Sequence, residues 1–418
     1  MSVACRQVDE ETKAAGEAEA DAPGGRPLYF DYQATTPTDP RVVAKMLPYF
    51  SEAFGNPHSA QHAYGWEARD AVHAAREEIA ALIGAEAREI VFTSGATESN
   101  NLAIKGVARF QAKHTKGDPP QIVTVETEHK CVLESCARME QEGIPVTRLG
   151  VDRDGLIDLK ALEDALQRPT ALVSVMAANN EIGVLQPLAE IGALCRQHGA
   201  YFHSDAAQAV GKVPLDVNAM NIDLLSISGH KIYGPMGIGA LYIRRRPRVR
   251  LEAEMDGGGQ ERGFRSGTLP APLCVGLGEA CRLAGQEMDA EAARLTGLRR
   301  RFHQGLMGRL SGVSLNGHPE KRLPGNLNYH FEGLDAEALI KAMPGLAVSS
   351  GSACTSADVE PSYVLRALGL SPAAAAGSLR IGLGRTTTDA EVEQALDIIV
   401  AAVQDLRARQ AAPAESSK

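Results

Sequence analysis

The sequence predicts an α/β protein: a mostly parallel, doubly wound sheet with a smaller α+β domain beside it. Through the middle of the chain, short apolar runs alternate with segments of helical period, the pattern of strands buried on both faces. Beyond about residue 285 that alternation gives way to long charged helical stretches and an isolated alternating strand. The length, 418 residues, exceeds what one small core can fill and suits two domains.

Taken in order, Glu89-Ile-Val-Phe-Thr93 is a short buried strand that Gly95 punctuates, and 98–110 is a helix. Gln121-Ile-Val-Thr-Val125 is a strand, and 131–142 a helix. The run 171–176 is a strand, followed by a helix over 187–198 that Gly199 ends, since glycine adopts the left-handed cap at no steric cost. Further strands are predicted over 201–204, 224–227 and 238–243. In the second part, helices are predicted over 295–310, 336–343 and 388–407, with Asn326-Leu-Asn-Tyr-His-Phe331 alternating as a strand.

The expected division is a large domain over 38–285 and a small α+β domain made of 27–37 with 286–408. Residues 1–26 are rich in Ala, Glu, Asp and Gly with almost no large apolar side chain, so they are expected to form a disordered acidic extension. Without an apolar core, that stretch is not expected to be a secretory signal. Residues 409–418 are expected to be a polar tail.

A net charge of -9 gives no broad basic excess for nucleic acid. No apolar run approaches the ~20 residues that a membrane span requires. Seven cysteines, an odd number with no CxxC pair, argue against a disulfide framework and a zinc ribbon, and point to the cytoplasm. No metal site is expected.

Four segments carry chemistry, and each alone admits a plainer reading. Thr93-Ser-Gly-Ala-Thr-Glu-Ser99 lies at a strand-to-helix junction, where the amides of Ala96 and Thr97 could hold a phosphate or merely start a helix. Asp205 follows an apolar strand, at the sheet edge where ligands bind, and could hold a ring nitrogen protonated or cap a helix. Lys231, in Ser226-Ile-Ser-Gly-His-Lys-Ile-Tyr-Gly-Pro235, is framed by Gly229 and Gly234, with Ser228 and His230 as phosphate donors. A lysine so placed can form a Schiff base; the plainer reading is an exposed turn. Cys354 lies among small polar residues in Ser349-Ser-Gly-Ser-Ala-Cys-Thr-Ser356, where a thiolate can react or be incidental. Together the first three meet the needs of pyridoxal phosphate: an anchor for phosphate, a carboxylate for the ring nitrogen and an amine for the imine.

These segments, with Leu28-Tyr-Phe-Asp-Tyr-Gln-Ala-Thr-Thr-Pro37, Ala178-Asn-Asn-Glu-Ile-Gly183 and Arg265-Ser-Gly-Thr268, make the chain resemble the Isc-type cysteine desulfurases of the class V aminotransferase-like, fold-type I family. The resemblance runs from about Tyr29 to about Leu406. It implies that Lys231 carries pyridoxal 5'-phosphate, that Asp205 pairs with its ring nitrogen and Gln208 with its ring hydroxyl, and that His129 stacks on the ring and moves protons. It also implies that Ala96, Thr97, Ser228 and His230 bind the phosphate, with Thr268 reaching the phosphate of a neighbouring subunit in a homodimer. Asn180, Asn56 and Arg380 are then the substrate contacts, Arg380 forking onto the carboxylate of L-cysteine.

The implied outcome is L-alanine and a persulfide on Cys354, passed to acceptors for iron–sulfur cluster assembly and thiolation, with Cys354 transiently contacting a cluster on a partner. In this family a basic surface matching Arg244-Arg-Arg-Pro-Arg-Val-Arg250 receives acidic partners such as frataxin-like proteins; by composition alone that run is a solvated strand end. Rival readings are a selenocysteine lyase on the same scaffold, a lyase in which Cys354 is a bystander, and a catalytically silent interaction platform.

Overall fold

The computed structural model describes residues 25–350 and 361–411. Cys354, nearly all of the expected acidic extension and the last seven residues lie outside the described residues.

The large sheet has seven strands: β2 (Ile90–Thr93), β3 (Gln121–Val125), β4 (Val146–Leu149), β5 (Thr170–Ser174), β6 (Tyr201–Asp205), β7 (Leu224–Ser228) and β8 (Gly239–Ile243), in the spatial order β2-β8-β7-β6-β5-β3-β4. The pairings from β7 to β4 are parallel, and β8 runs antiparallel to both β2 and β7. Apart from β4, these strands are buried or nearly so along their whole length. That burial explains their continuous apolar runs, because helices cover both faces. Two apolar clusters lie against the sheet, one including Ile79, Phe92, Phe202 and Tyr242, the other Leu102, Val107, Leu172 and Leu241.

The helices of this part are α1 (Pro40–Met46), α2 (Pro48–Ser51), α3 (Ala63–Ile83), α4 (Ala96–His114), α5 (Lys130–Gln141), α6 (Leu159–Ala165) and α7 (Leu188–His198). Gly199 caps α7 in the left-handed conformation, as the sequence predicts. Within the sheet, His203 on β6 bonds sideways to both neighbours, with Nδ1 2.8 Å from Ser174 Oγ and Nε2 3.0 Å from Ser226 Oγ.

The helix expected over 295–310 is the second half of a single helix, α8 (Ala271–Arg309), 39 residues long. Its first half packs on α3, where Gly278 is needed because a Cβ there would sit 2.6 Å from Ala75 Cα. Its second half enters another apolar cluster with Leu295, Leu298, Phe302 and Leu306. That cluster lies under a four-stranded sheet of β9 (Val313–Leu315), β10 (Asn326–Phe331), β12 (Ser349–Ser350) and β13 (Ser378–Gly382), ordered β12-β13-β10-β9. Short strands β1 (Leu28–Tyr29) and β11 (Leu346–Ala347) pair in parallel beside it. Helices α9 (Ala336–Lys341), α10 (Tyr363–Ala367), α11 (Pro372–Ala376) and α12 (Asp389–Ala411) complete this part. Among the described residues no helix is long and apolar enough to cross a membrane.

The basic run at 244–250 is not uniformly solvated. Arg244 is buried, ion-paired with Asp223 at 3.1 Å and hydrogen-bonded to the carbonyls of Val217 and Ile222. Its charge serves the end of the large sheet, which leaves Arg245, Arg246, Arg248 and Arg250 exposed.

Candidate active site

The ends of β2, β6 and β7 open onto one cavity of about 420 Å³. Thr93 ends β2, and the chain turns at Gly95 into α4. Gly95 has φ 151°, a conformation side chains disfavour, and supplies no capping side chain. The amides of Ala96 and Thr97 therefore begin the helix uncapped, at its positive pole, facing the cavity. Ser94 N–H donates to Glu98 Oε2 at 2.7 Å, and Arg265 pairs with the same carboxylate at 2.8 Å, so the turn is held from both sides.

Asp205 ends β6 and is 5% exposed. Asn100, one turn into α4, donates to its Oδ2 at 2.7 Å, and Ala207 N–H donates to Oδ1 at 2.9 Å. Neither the role of Asn100 nor that of Cys131 was read from the sequence. The signal for Asn100 was its place three residues after Thr97, on the helix face that meets the sheet ends.

Lys231 ends a single 3-10 turn directly after β7, and its Nζ donates to the carbonyls of Gln33 at 2.6 Å and Ala34 at 2.7 Å. The close approach expected from the flanking glycines is present: a Cβ on Gly234 would lie 2.9 Å from Gly229 O. Gln208 donates to the same Gln33 carbonyl at 2.9 Å, while its Oε1 accepts from Lys212 Nζ at 3.2 Å. Ser228 and His230 line the same wall. His230 Nδ1 is 3.0 Å from Thr35 Oγ1, and burial pushes its imidazole down to about 4.

His129 is the N-cap of α5, its Nδ1 accepting from Cys131 N–H at 3.3 Å and lying 3.0 Å from Cys131 Sγ. Burial lowers its pKa, so the ring is neutral near pH 7. The thiol of Cys131 is pushed up to about 12, first by burial and then by the Asp205 charge. Next to His129, Glu128 is fully enclosed, its carboxyl pushed well above the ordinary range by burial, and it takes a hydrogen bond from Met176 N–H at 2.5 Å.

Arg380 is buried. It lies on β13, is 3% exposed, donates to Asn180 O at 3.0 Å and pairs with Asp31 at 2.7 Å. Arg380 and Asn180 line the cavity, and buried Arg380 Nε is unspent among the described residues. Asn56 and Thr268 are exposed and do not line it within one chain; Asn56 Oδ1 instead accepts from His58 N–H at 2.9 Å.

Both ends of the segment that contains Cys354 are fixed beside this cavity. Ser349 on β12 pairs with Arg380 on β13. At the other end Ser362 Oγ donates to Glu181 Oε2 at 2.5 Å, and Tyr363 hydroxyl donates to Glu128 O at 2.6 Å.

These donors fit a phosphorylated pyridine aldehyde. An uncapped helix start suits the phosphate, a buried carboxylate suits a ring N–H, and an amine on the same cavity suits the aldehyde. A fold of this topology with that set of groups on one cavity is that of a fold-type I pyridoxal-phosphate enzyme.

Comparison with known proteins agrees. The Aminotransferase class-V family matches residues 28–395, and the chain belongs to that family. A cysteine desulfurase of Homo sapiens is 57% identical over 400 residues, covering 96% of this chain and 86% of the relative. Among solved structures, a NifS-like protein superposes with a TM-score of 0.84 at 35% identity, covering 91% of this chain and all of that one. A second, SspA in complex with cysteine, gives a TM-score of 0.75 at 41% identity, covering 85% and 98%. The chain is a pyridoxal-phosphate-dependent enzyme.

Proposed function

We propose that this enzyme is a cysteine desulfurase, which takes sulfur from L-cysteine, releases L-alanine and carries the sulfur as a persulfide on Cys354. The observation that carries the reading is the convergence of Lys231, Asp205, His129 and Arg380 on one cavity whose rim holds both ends of the Cys354 segment. When bound, the cofactor supplies an aldehyde that condenses with amines and a protonated ring that accepts an electron pair.

The protein's own groups do the rest. Ala96, Thr97, Ser228 and His230 hold the phosphate. Asp205, oriented by Asn100, would keep a proton on the ring nitrogen, and Gln208 would offer its amide to the ring hydroxyl. Lys231 Nζ would hold the cofactor's aldehyde and, as a free amine, would take the substrate's α-proton. His129, its pKa lowered by burial, lines the cavity, would stack on the cofactor ring and would accept and return a proton. Arg380 and Asn180, with Asn56, orient the substrate, Arg380 through its fork onto the carboxylate. Cys354, as thiolate, bonds to the substrate sulfur while that sulfur's bond to carbon breaks. Three residues lie between it and Ser350, so four chain steps give a reach of roughly 14 Å at full extension.

The enzyme acts as a homodimer in which Thr268 reaches the neighbour's phosphate site. Support comes from exposed apolar side chains such as Phe54 and Tyr64, which pack on one another with ring centroids 5.5 Å apart. Acceptors are proteins of iron–sulfur cluster assembly and thiolation, an acidic frataxin-like partner being steered by Arg245, Arg246, Arg248 and Arg250. The described cysteines are all free, which supports a reducing cytoplasmic setting.

The test is to add L-cysteine to the purified holoenzyme and measure alanine and protein-bound persulfide. Wild type yields both, and Cys354→Ala retains the cofactor's absorbance but forms no persulfide. Undiminished alanine production by Cys354→Ala would sink the assignment of Cys354.

A further inference from the structure

Gln208 and Lys212 lie four residues apart on the turns that follow β6. Val210 N–H donates to Ala206 O at 3.0 Å and Val213 N–H to Ala209 O at 3.1 Å, so the chain coils once between them and brings both side chains to one side. Gly211 permits the tight step. Its φ is 70°, and a Cβ there would stand 2.9 Å from Ala284 Cβ. Lys212 Nζ then reaches Gln208 Oε1 at 3.2 Å.

The Gln208 amide is thus fixed from both ends. Gln33 O can only accept, so it takes Nε2 at 2.9 Å, and an ammonium can only donate, so Lys212 faces Oε1. Lys231 Nζ meets the same Gln33 carbonyl at 2.6 Å, which sets it beside Gln208 Nε2. In pyridoxal phosphate the ring hydroxyl sits on the carbon next to the one that bears the aldehyde. The amine that takes the aldehyde and the amide that meets the hydroxyl must therefore be neighbours, as these two nitrogens are.

Lys212 itself stays out of the cofactor cavity. Gln208 lines that cavity, whereas Lys212 lines a separate one of about 20 Å³, room for one water, with Gln33, Tyr233 and Glu291. No carboxylate lies within 4.0 Å of its ammonium among the described residues. Burial and then the charge of Lys231 pull it down to about 7, with Glu291 opposing and Arg380 adding. A withdrawn cation without an ion pair is costly, and an apolar side chain of the same length would fill the space without that cost.

We propose that Lys212 is a positioning residue, which holds the Gln208 amide with its N–H group turned toward the cofactor's ring hydroxyl. This rests on the pairing of Gln208 with that hydroxyl proposed above. Without Lys212, the amide keeps only its bond to Gln33 O and is free to turn its oxygen toward the cofactor's, where two acceptors repel. The ammonium on Oε1 also polarises the amide, which makes its N–H a stronger donor.

The experiment is equilibrium dialysis of the full-length chain against pyridoxal phosphate and against its analogue lacking the ring hydroxyl. Gln208→Leu weakens binding of pyridoxal phosphate about tenfold, the worth of one charge-assisted hydrogen bond, and hardly changes binding of the analogue. Lys212→Met weakens pyridoxal phosphate by roughly three- to tenfold and again spares the analogue, whose binding shows in the same assay that the variant is folded. In the Gln208→Leu background Lys212→Met has no further effect, because the two residues act through one contact. Wild-type binding of pyridoxal phosphate by Lys212→Met, equal losses for the two cofactors, or a loss that adds to that of Gln208→Leu overturns the proposal. Should Gln208→Leu itself bind pyridoxal phosphate as wild type does, the pairing of Gln208 with the hydroxyl is what fails, and the role of Lys212 falls with it.

Discussion

Ser362 Oγ donates to Glu181 Oε2 at 2.5 Å, joining the residue that follows the Cys354 segment to a buried carboxyl beside the cofactor cavity. Burial pushes Glu181 up to about 7 from 4.5, with the Ser362 hydroxyl and Arg380 opposing that rise. The folded state therefore favours the protonated acid. Its contribution is complete below the ordinary carboxyl range and is lost as pH rises through about 7. Glu181→Gln, neutral at every pH, is expected to gain about 3 kcal/mol on wild type between pH 4.5 and pH 8, read from denaturant melts. Ser362→Ala, which unfastens this end of the segment, is expected to slow persulfide formation about 10- to 100-fold while the cofactor's absorbance stays unchanged.

Asn100 orients Asp205 at 2.7 Å and touches Cys131 Sγ at 3.1 Å. Asn100→Ala leaves Asp205 Oδ2 without that donor. Cofactor retention on dialysis is expected to weaken about tenfold, the worth of one hydrogen bond to a charged group. Retention equal to wild type would show that Asp205 needs no help from α4.

His203 ties β5, β6 and β7 together as a neutral ring, its pKa held down at about 3 by burial. The unfolded chain takes up its proton near 6.5, so the stability this residue contributes is present above that pH and is lost as pH falls toward 3. By pH 4 the loss is about 3 kcal/mol. His203→Gln should flatten the acid limb of a stability-against-pH curve, whatever its effect at pH 7.

Gly239 faces Gly95 across the edge of the large sheet. A Cβ on it would stand 2.4 Å from Ile227 O and 2.6 Å from Gly95 Cα. Gly239→Ala is expected to destabilise by about 1–3 kcal/mol and to displace the helix start that receives phosphate. Melting and cofactor affinity should fall together in this variant.

Much of the large domain could be read because its strands are short apolar runs with helices between them. The strands at Gln121–Val125 and Asn326–Phe331 fall where the pattern puts them. What escaped has physical reasons. Helix α3 buries small residues such as Ala68, Ala75 and Ala80, which make a faint apolar stripe. The first half of α8 carries Gly276, Gly278 and Gly285, which weaken its helical signal, and Gly278 is there to let it approach α3. Arg244 reads as part of a solvated strand end because its carboxylate, Asp223, is brought to it only by the fold, and the pairing of Arg380 with Asp31 is hidden in the same way. In the site, Lys231, Asp205 and the helix start were visible as residues that break the texture around them. Asn100 and Cys131 act through those residues, and one-dimensional patterning does not reveal that.

Helix α8 runs unbroken from the apolar cluster under one sheet into the cluster under the other. At 1.5 Å per residue its 39 residues make a rod about 58 Å long. A hinge at residue 285 would have to bend that rod against its own hydrogen bonds. The two halves of the molecule are thus coupled mechanically, and a rotation of one against the other is resisted along the whole length of that rod.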